Sequence, residues 1–308
     1  MKNPFKYAEG KKVEIMNKQS KQLKRLYREV LKDTKQSLKR LENKDSRYAV
    51  NKKMYLEGFK NDLLDRINML DAKTEQIVNV NMNDMVQVVL QNNETFLKGV
   101  GFKGYINTQP MKMEVVNRIA TGQIYGGKWN LSSAIWGDNA KKADEINKII
   151  AKGVAEGKSL YSISKQLEKY VNPNARTPSN IPGVRSKVDY NAQRLARTAV
   201  QHAYQEAFVA ATINNPFIDG YRWVTSGSHN VCPLCIERAT TDKYGLGEGV
   251  FPKSSLPLDH PNGQCTFECV SSMSDAEIGE VIADWYLGEG DPYMNEQLDE
   301  FAKYLMNY

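Results

Sequence analysis

Four cysteines and one histidine, clustered between positions 232 and 269, are the side chains of this chain best suited to chemistry. Cys232 and Cys235 form a Cys-x2-Cys pair, which places two thiolates on one side of a tight turn. His260 and Cys265 follow downstream, and Cys269 is the remaining cysteine. Thiolate and imidazole are the usual donors of closed zinc sites. The spacing therefore predicts a metal site of Cys232, Cys235 and His260, with either Cys265 or Cys269 as the fourth ligand.

A site with four protein ligands has no open position for water or substrate, so we predict a structural zinc ion. Zinc binding stabilises such a site by roughly 10 kcal/mol or more, enough to hold together a small lobe with little core of its own. Two other interpretations stay open: buried reduced cysteines without metal, or a disulfide pair. The clustering of all four cysteines in a 308-residue chain favours the metal.

Other catalytic signals in the sequence are weak. There is no Gly-x-Ser-x-Gly, P-loop or His-Glu-x-x-His string. Asp259-His260 beside Asn262 is superficially similar to an HNH nuclease, but no histidine follows His260 to complete that metal site. His202 falls in a helical run and suits packing better than general base catalysis. We therefore predict no catalytic residue and no cofactor other than zinc.

The elements that must position this site are mainly helical. No proline occurs between Pro4 and Pro110, and apolar residues recur at helical intervals over 11–41 and 46–97. Further helices are predicted at 111–121, 138–155, after an N-cap at Ser159, at 189–213 and from Ser274, with a strand at 220–225. We predict a mainly α fold: long N-terminal helices, a central helical domain, a small zinc-stapled α+β lobe and a C-terminal helix.

Composition divides the chain into four predicted regions. They are a basic helical N-terminal region (1–105), a central helical domain (106–215), a zinc-binding β-rich lobe (216–272) and an acidic C-terminal helical tail (273–308). Residues 1–60 hold 18 Lys and Arg against 7 Asp and Glu, whereas residues 273–308 hold 1 against 9. The two ends therefore favour different partners. The basic end suits nucleic-acid phosphates or an acidic protein surface, unless it is only a well-solvated helix face.

Composition also excludes several classes of protein. Hydrophobic residues make up 41% of the chain and charged residues 25%, as in an ordinary globular protein. No apolar run approaches the roughly 18 residues of a membrane span, and residues 1–6 lack the apolar stretch of a secretory signal. We expect neither a membrane protein, nor a Sec-exported protein, nor a wholly disordered chain.

The order of these features resembles the phage head morphogenesis family, the Mu F-like minor head proteins. The resemblance covers residues from about 110 to 270, and the N-terminal helices agree in character only. Its segments are Trp129-Asn130-Leu131-Ser132 with Ile135-Trp136, Gly157-Lys158-Ser159 with Ile163 and Leu167, Arg194-Leu195-Ala196-Arg197-Thr198, a strand with Trp223, and Cys232-x2-Cys235 ending in His260-Pro261-Asn262. The last of these is the most specific.

The chain departs from the family pattern at two motifs. The family often reads His-Pro-Asn-Cys-Arg-Cys, and here Gly263 and Gln264 replace the first cysteine and the arginine. Cys265 matches the second cysteine, so the resemblance implies that Cys265, rather than Cys269, is the fourth ligand. Ala199 stands where the family's helix commonly carries a glutamate, so any role of that glutamate has no counterpart here.

The resemblance implies a minor head (capsid) protein associated with the portal vertex, acting in head assembly and in DNA packaging or delivery. Its implied partners are the portal protein, contacted through the helical N-terminal half, capsid or scaffolding protein, and packaged DNA through the basic N-terminal region. Its implied location is the virion, inside the head near the portal, after assembly in the host cytoplasm. The alternatives are a zinc-dependent nuclease or host-directed effector enzyme, and a non-specific nucleic-acid-binding module.

Overall fold

A computed structural model of the chain describes residues 5–42, 49–127, 139–172, 188–227 and 231–307. Within these residues the protein is mainly helical with one small sheet, as the sequence predicts. The nine helices described are α1 (Lys6–Glu42), α2 (Ala49–Gly99), α3 (Thr108–Ala120), α4 (Asn139–Ala155), α5 (Leu160–Leu167), α6 (Val188–Thr212), α7 (Pro233–Thr240), α8 (Asp275–Leu287) and α9 (Pro292–Asn307). The strands are β1 (Gly220–Val224), β2 (Val250–Phe251) and β3 (Thr266–Val270). The family-like segment Trp129–Trp136 lies outside the described residues.

Local signals at helix ends account for most of the boundaries. The Ser159 hydroxyl accepts the N–H of Ser162 at 3.1 Å, which confirms the predicted N-cap. Ser274 forms a capping box with Glu277 at the start of α8. The C-terminal end is helical, as predicted, and forms two helices because Gly288 adopts a left-handed conformation that ends α8 before α9 begins.

The chain forms two compact units. The first is Met1–Met16, Asn81–Gly127 and Arg197–Tyr308, and the second is Asn17–Val80 and Lys128–Ala196. The long helices α1, α2 and α6 each supply residues to both units, and the four regions described from composition stay a prediction. All the predicted metal ligands belong to the first unit.

The second unit is a helical bundle built around parts of α1, α2, α4 and α5. Its buried core consists of Leu26, Tyr27, Val30, Leu38, Phe59, Leu63, Ile67, Leu70, Ile146, Leu167, Tyr170 and Val171. Arg66 of α2 donates to the Ser37 hydroxyl of α1 at 2.9 Å and pairs with Asp62 at 2.8 Å. The apolar contacts and this polar network fix which face of α1 turns toward the bundle.

The first unit packs a three-stranded antiparallel sheet, ordered β2-β1-β3, against α6. Fully buried aromatic rings fill the contact: Tyr204 and Phe208 of α6 meet Phe267, Phe208 also meets Tyr221, and Trp223 packs on Phe267 within the sheet. The expected lobe with little core of its own is therefore replaced by strands that share an aromatic core with a long helix. None of the helices described has the length and apolar character needed to cross a bilayer.

Candidate metal centre

The predicted metal ligands lie in two groups that share Cys235. The first comprises Cys232, Cys235 and His260, and the second comprises Cys235, Asp259 and Cys265. Within each group the donor atoms all lie within 4.8 Å of one another. These five residues could hold a metal ion. Cys269 belongs to neither group.

The first two cysteines are positioned by the start of α7, and we call residues 231–240 the knuckle. Cys232 is the N-cap residue, with extended backbone (φ −73°, ψ 152°), and Pro233 occupies the first turn, where its missing N–H costs nothing. The backbone N–H of Cys235 points back at the Cys232 sulfur at 3.4 Å. The Cys-x2-Cys spacing therefore brings both sulfurs to a helix N-terminus, where backbone dipoles favour thiolates.

A β-turn at His260–Gly263 positions the remaining ligands, and we call residues 257–265 the ligand loop. The Gly263 N–H donates to the His260 carbonyl at 2.8 Å, and Asn262 has a positive φ of 67°. Proline followed by a positive-φ residue at the two central positions is the pattern of a type II turn. The His-Pro-Asn motif is thus a turn signal that places an imidazole at its first position.

The two ring nitrogens of His260 have different environments. Nδ1 lies 3.1 Å from the Pro261 carbonyl, which can only accept a hydrogen bond, so Nδ1 carries the proton. Nε2 lies 3.2 Å from the Cys232 sulfur and is left with its lone pair toward the cluster. A backbone acceptor behind the imidazole is the usual arrangement of a metal-binding histidine.

Asp259 is buried at the base of the ligand loop and is already engaged by it. Its carboxylate accepts the His260 N–H at 2.8 Å and the Cys265 N–H at 3.3 Å. A Cβ at position 263 would collide with this carboxylate. Gly263, the departure from the family-like motif, therefore leaves the space that the Asp259 side chain occupies. Asp259 therefore orients the loop through these hydrogen bonds, and the sulfur and nitrogen donors would be the ones to face a bound metal.

One face of α6 holds the ligand loop through buried polar side chains. Gln205 donates to the Pro257 carbonyl at 2.8 Å and accepts the Asp259 N–H at 2.9 Å. The His202 ring approaches the Asp259 carbonyl at 3.0 Å, and Gln201 donates to the Cys265 carbonyl at 2.7 Å. Thr198 accepts the Asn262 N–H at 2.9 Å. Four side chains at positions i, i+3, i+4 and i+7, which share one face of the helix, thus hydrogen-bond to backbone groups along the ligand loop.

Lys12 of α1 also reaches the ligand loop from far away in the sequence. The side chain is buried, donates to the Cys265 carbonyl at 2.8 Å and lies over the Tyr204 ring at 4.4 Å. Burial lowers the pKa of Lys12 to about 8, against the attraction of Glu9 and Asp259. A cation held this close to the cluster offsets the negative charge that thiolate ligands would carry.

The cysteine pKa values reflect a crowded thiol cluster. Burial, together with hydrogen bonds to neighbouring thiols, raises the pKa of Cys235 well above its ordinary value. Burial also raises the pKa of Cys265 and the nearby Asp259 carboxylate adds to the increase, although hydrogen bonds from Cys235 and the Ser226 backbone oppose it. Burial opposes ionisation of Cys232, but hydrogen bonds from Cys235 and the nearby His260 outweigh it and lower the pKa. A bound divalent cation would supply the charge that makes all three thiolates stable.

The donor set fits zinc. Three thiolates and one imidazole form one of the usual tetrahedral structural sites, in which donor atoms lie roughly 3.5–3.8 Å apart. The 4.8 Å separations hold within each three-residue group, so Cys265 must draw closer to Cys232 and His260 for all four donors to meet one ion. The residues that would hold the ion are Cys232, Cys235, His260 and Cys265, and the charge it supplies would keep the sulfurs deprotonated.

Sequence reasoning did not identify the residues that position the ligands. Cys232, Cys235, His260 and Cys265 carry a signal of type and spacing, whereas Cys269 is placed on β3 opposite Tyr221. His202 is buried and packs, as predicted. Asp259, Lys12 and Gln205 were missed as parts of the site. The available signal was the run of polar residues on α6, at 198, 201, 202 and 205, within an otherwise alanine-rich buried helix.

Comparison with known proteins gives no match: no protein-family model fits the chain, and neither curated proteins nor solved structures contain a significant match. The family resemblance therefore rests on the motifs quoted above.

Proposed function

We propose that the cluster binds one structural zinc ion and that the chain is a phage minor head protein of the portal vertex, acting in head assembly. The observation that carries the first part is the engagement of every donor. His260 is oriented by a backbone carbonyl, each carboxylate oxygen of Asp259 accepts one N–H group, and the Cys235 sulfur lies within 4.8 Å of the sulfurs of Cys232 and Cys265. Such a site stabilises a fold and leaves no position for a hydrolytic water.

The nuclease alternative is less well supported by the same geometry. A catalytic base needs a nitrogen free to take a proton from water or substrate. His260 directs one nitrogen at a carbonyl and the other at Cys232. His202 is buried between the Tyr125 hydroxyl, at 2.8 Å, and the Asp259 carbonyl. Incubation with DNA and divalent metal, comparing the wild type with His260→Ala, tests this alternative directly.

The head-assembly part of the proposal rests on the order of the motifs that resemble the family. The turn at His260–Gly263 adds to it, because Pro261 and Asn262 form the turn that presents the His260 imidazole. The helical N-terminal half is the proposed contact with the portal, with capsid or scaffolding protein as further partners. Exposed apolar side chains lie along α2 in this half, namely Met54, Met69 and Val80, which are 60%, 39% and 50% exposed. Apolar side chains of this kind form the centre of protein interfaces.

The test is co-expression of the full chain with the portal protein of the same phage genome, followed by sedimentation. Deleting residues 1–105 would be a poor test because it removes Phe5, Lys12 and Leu97 from the core of the first unit. We instead compare Met54/Met69/Val80→Gln with a matched change of three exposed apolar residues near the metal cluster, Leu234/Ile236/Leu246→Gln.

The wild type and the matched variant should co-migrate with the portal ring, and the α2 variant should not. Loss of co-migration only in the matched variant would move the contact to the metal-binding region. A wild-type chain that stays at the top of the gradient would contradict the portal role.

A further inference from the structure

We infer that the solvent face of α1 is a binding surface for the phosphate backbone of duplex nucleic acid. The surface, called here the cation stripe, consists of Lys18, Lys21, Lys24, Arg25, Arg28, Lys32, Lys35 and Lys39. All eight side chains are exposed. This inference rests on the proposed function, which supplies the DNA, and it adds the surface and the chemistry that contact it.

Helix geometry aligns these cations in a single row. At about 100° per residue, all eight lie within about 60° of the direction of Lys21, along about 30 Å of helix. The two acidic residues in the same stretch, Glu29 and Asp33, lie outside this sector. The opposite face is buried in the bundle through Leu23, Leu26 and Val30. Burial of the opposite face therefore holds the cation stripe on the side of α1 that faces solvent.

The row works against the stability of an isolated helix. Lys21 and Arg25, Arg28 and Lys32, and Lys35 and Lys39 are like-charge neighbours four residues apart, and such pairs repel. A merely solvated helix face usually alternates charges so that these positions attract. Among the described ion pairs, Arg25 contacts Glu29 at 2.8 Å and Lys35 contacts Glu168 at a loose 3.9 Å. Eight cations against the two acidic residues of the same stretch leave an excess of positive charge, which suits an external polyanion.

The side chains around the row favour phosphate over a protein surface. Protein interfaces have an apolar or aromatic centre, yet the large exposed hydrophobic residues described on α1 are Tyr7 and Val13, which precede the row. The same lack of exposed aromatic rings along residues 18–39 disfavours single strands, which bind by base stacking. A depression of about 360 Å³ lies along the row, lined by Arg28, Leu31, Lys32, Lys35, Gln36 and Lys39. The cation stripe has regularly spaced positive charges but no side chains placed to read base edges, so it suits contact with the phosphate backbone of any sequence.

The experiment measures binding of the full, metal-loaded chain to a fluorescent random-sequence duplex of about 30 base pairs over 50–200 mM salt, without portal protein. The test variant is Lys21/Arg28/Lys32/Lys39→Gln. The matched control removes the same charge from exposed lysines elsewhere, Lys73/Lys148/Lys243/Lys303→Gln. Each lost phosphate contact should reduce the slope of log affinity against log salt by about 0.9.

We expect the stripe variant to lose about 3–4 units of that slope and at least about tenfold in affinity near 0.1 M salt, while the control stays within about twofold. Equal losses in both variants would assign binding to net charge and overturn the inference. Displacement of the duplex by polyglutamate at equal charge concentration would also overturn it, in favour of an acidic protein partner. Portal co-sedimentation is measured separately, so failure here leaves the proposed portal role standing.

Discussion

The knuckle and the ligand loop supply equal numbers of metal ligands but are held in different ways. The knuckle ligands are positioned by their own helix start, through the Cys235 N–H and the Cys232 sulfur. The ligand loop is gripped by four side chains of α6 and by Lys12 of α1. The loop is thus tied to the aromatic core of the first unit, whereas the knuckle meets the loop at the Cys232–His260 contact of 3.2 Å, to which a bound metal would add the main tie.

This difference indicates a site that is half preformed. Ordering a residue costs about 1–2 kcal/mol in backbone entropy, so a loop that is already ordered leaves more of the metal-binding energy for the knuckle. One further contact links the two: Arg238 donates to the Leu258 carbonyl at 3.3 Å and stacks on Trp223 at 4.7 Å. Metal loss should therefore release the knuckle first and leave the loop on α6.

The largest expected effect comes from removing a knuckle ligand. Cys235→Ser should abolish retention of one zinc per chain and make residues 231–249 sensitive to protease, because the knuckle loses its tie to the loop. We expect a loss on the order of 5 kcal/mol or more in the free energy of unfolding of this region. Metal analysis and limited proteolysis with mass spectrometry measure both.

Cys269→Ser is the matched control, since it changes the one cysteine outside the cluster. It should keep one zinc and the wild-type cleavage pattern. Loss of zinc in Cys269→Ser, with retention in Cys265→Ser, would reverse the assignment of the fourth ligand.

A smaller effect is expected when hydrogen bonds from α6 to the ligand loop are removed. Gln205→Leu leaves the Asp259 N–H and the Pro257 carbonyl without partners, which should cost about 2–4 kcal/mol in stability and weaken zinc affinity. Gln201→Leu is the comparison, because its acceptor, the Cys265 carbonyl, keeps the bond from Lys12. Its cost should be about 1 kcal/mol. Denaturant unfolding measures the loss in free energy of unfolding of each variant. Equal losses in the two variants would argue against the idea that the Gln205 side chain holds the ligand loop in place.

The smallest effect is expected at Lys12. Burial already makes the Lys12 charge costly, as its pKa lowered to about 8 indicates, so Lys12→Met should alter the free energy of unfolding by about 1 kcal/mol or less. Zinc affinity should still fall, by roughly three- to tenfold, because the thiolates lose a neighbouring positive charge. Competition with a chelator at fixed pH measures this fall in zinc affinity. An affinity equal to that of the wild type would remove Lys12 from the site.

Features with a local signal could be predicted from the sequence, and long-range ones could not. Periodic apolar residues predicted the helices, side-chain type and spacing predicted Cys232, Cys235 and His260 as ligands, and the family resemblance implied Cys265 as the fourth. Lys12 lies 253 residues from its acceptor, and a lysine on a helix is ordinarily expected in solvent. Gln201 and Gln205 read as surface residues for the same reason. Their burial depends on loop carbonyls that only the folded chain brings to α6.

The central claim is that three cysteines and one histidine close around a single zinc ion. Zinc K-edge X-ray absorption of the full chain, purified without chelator, tests it most directly. We predict three sulfur neighbours at about 2.3 Å and one nitrogen neighbour at about 2.0 Å. Two sulfur neighbours with additional oxygen would contradict the closed structural site and favour a water-bearing, catalytic one, and a chain without zinc would contradict the metal staple itself.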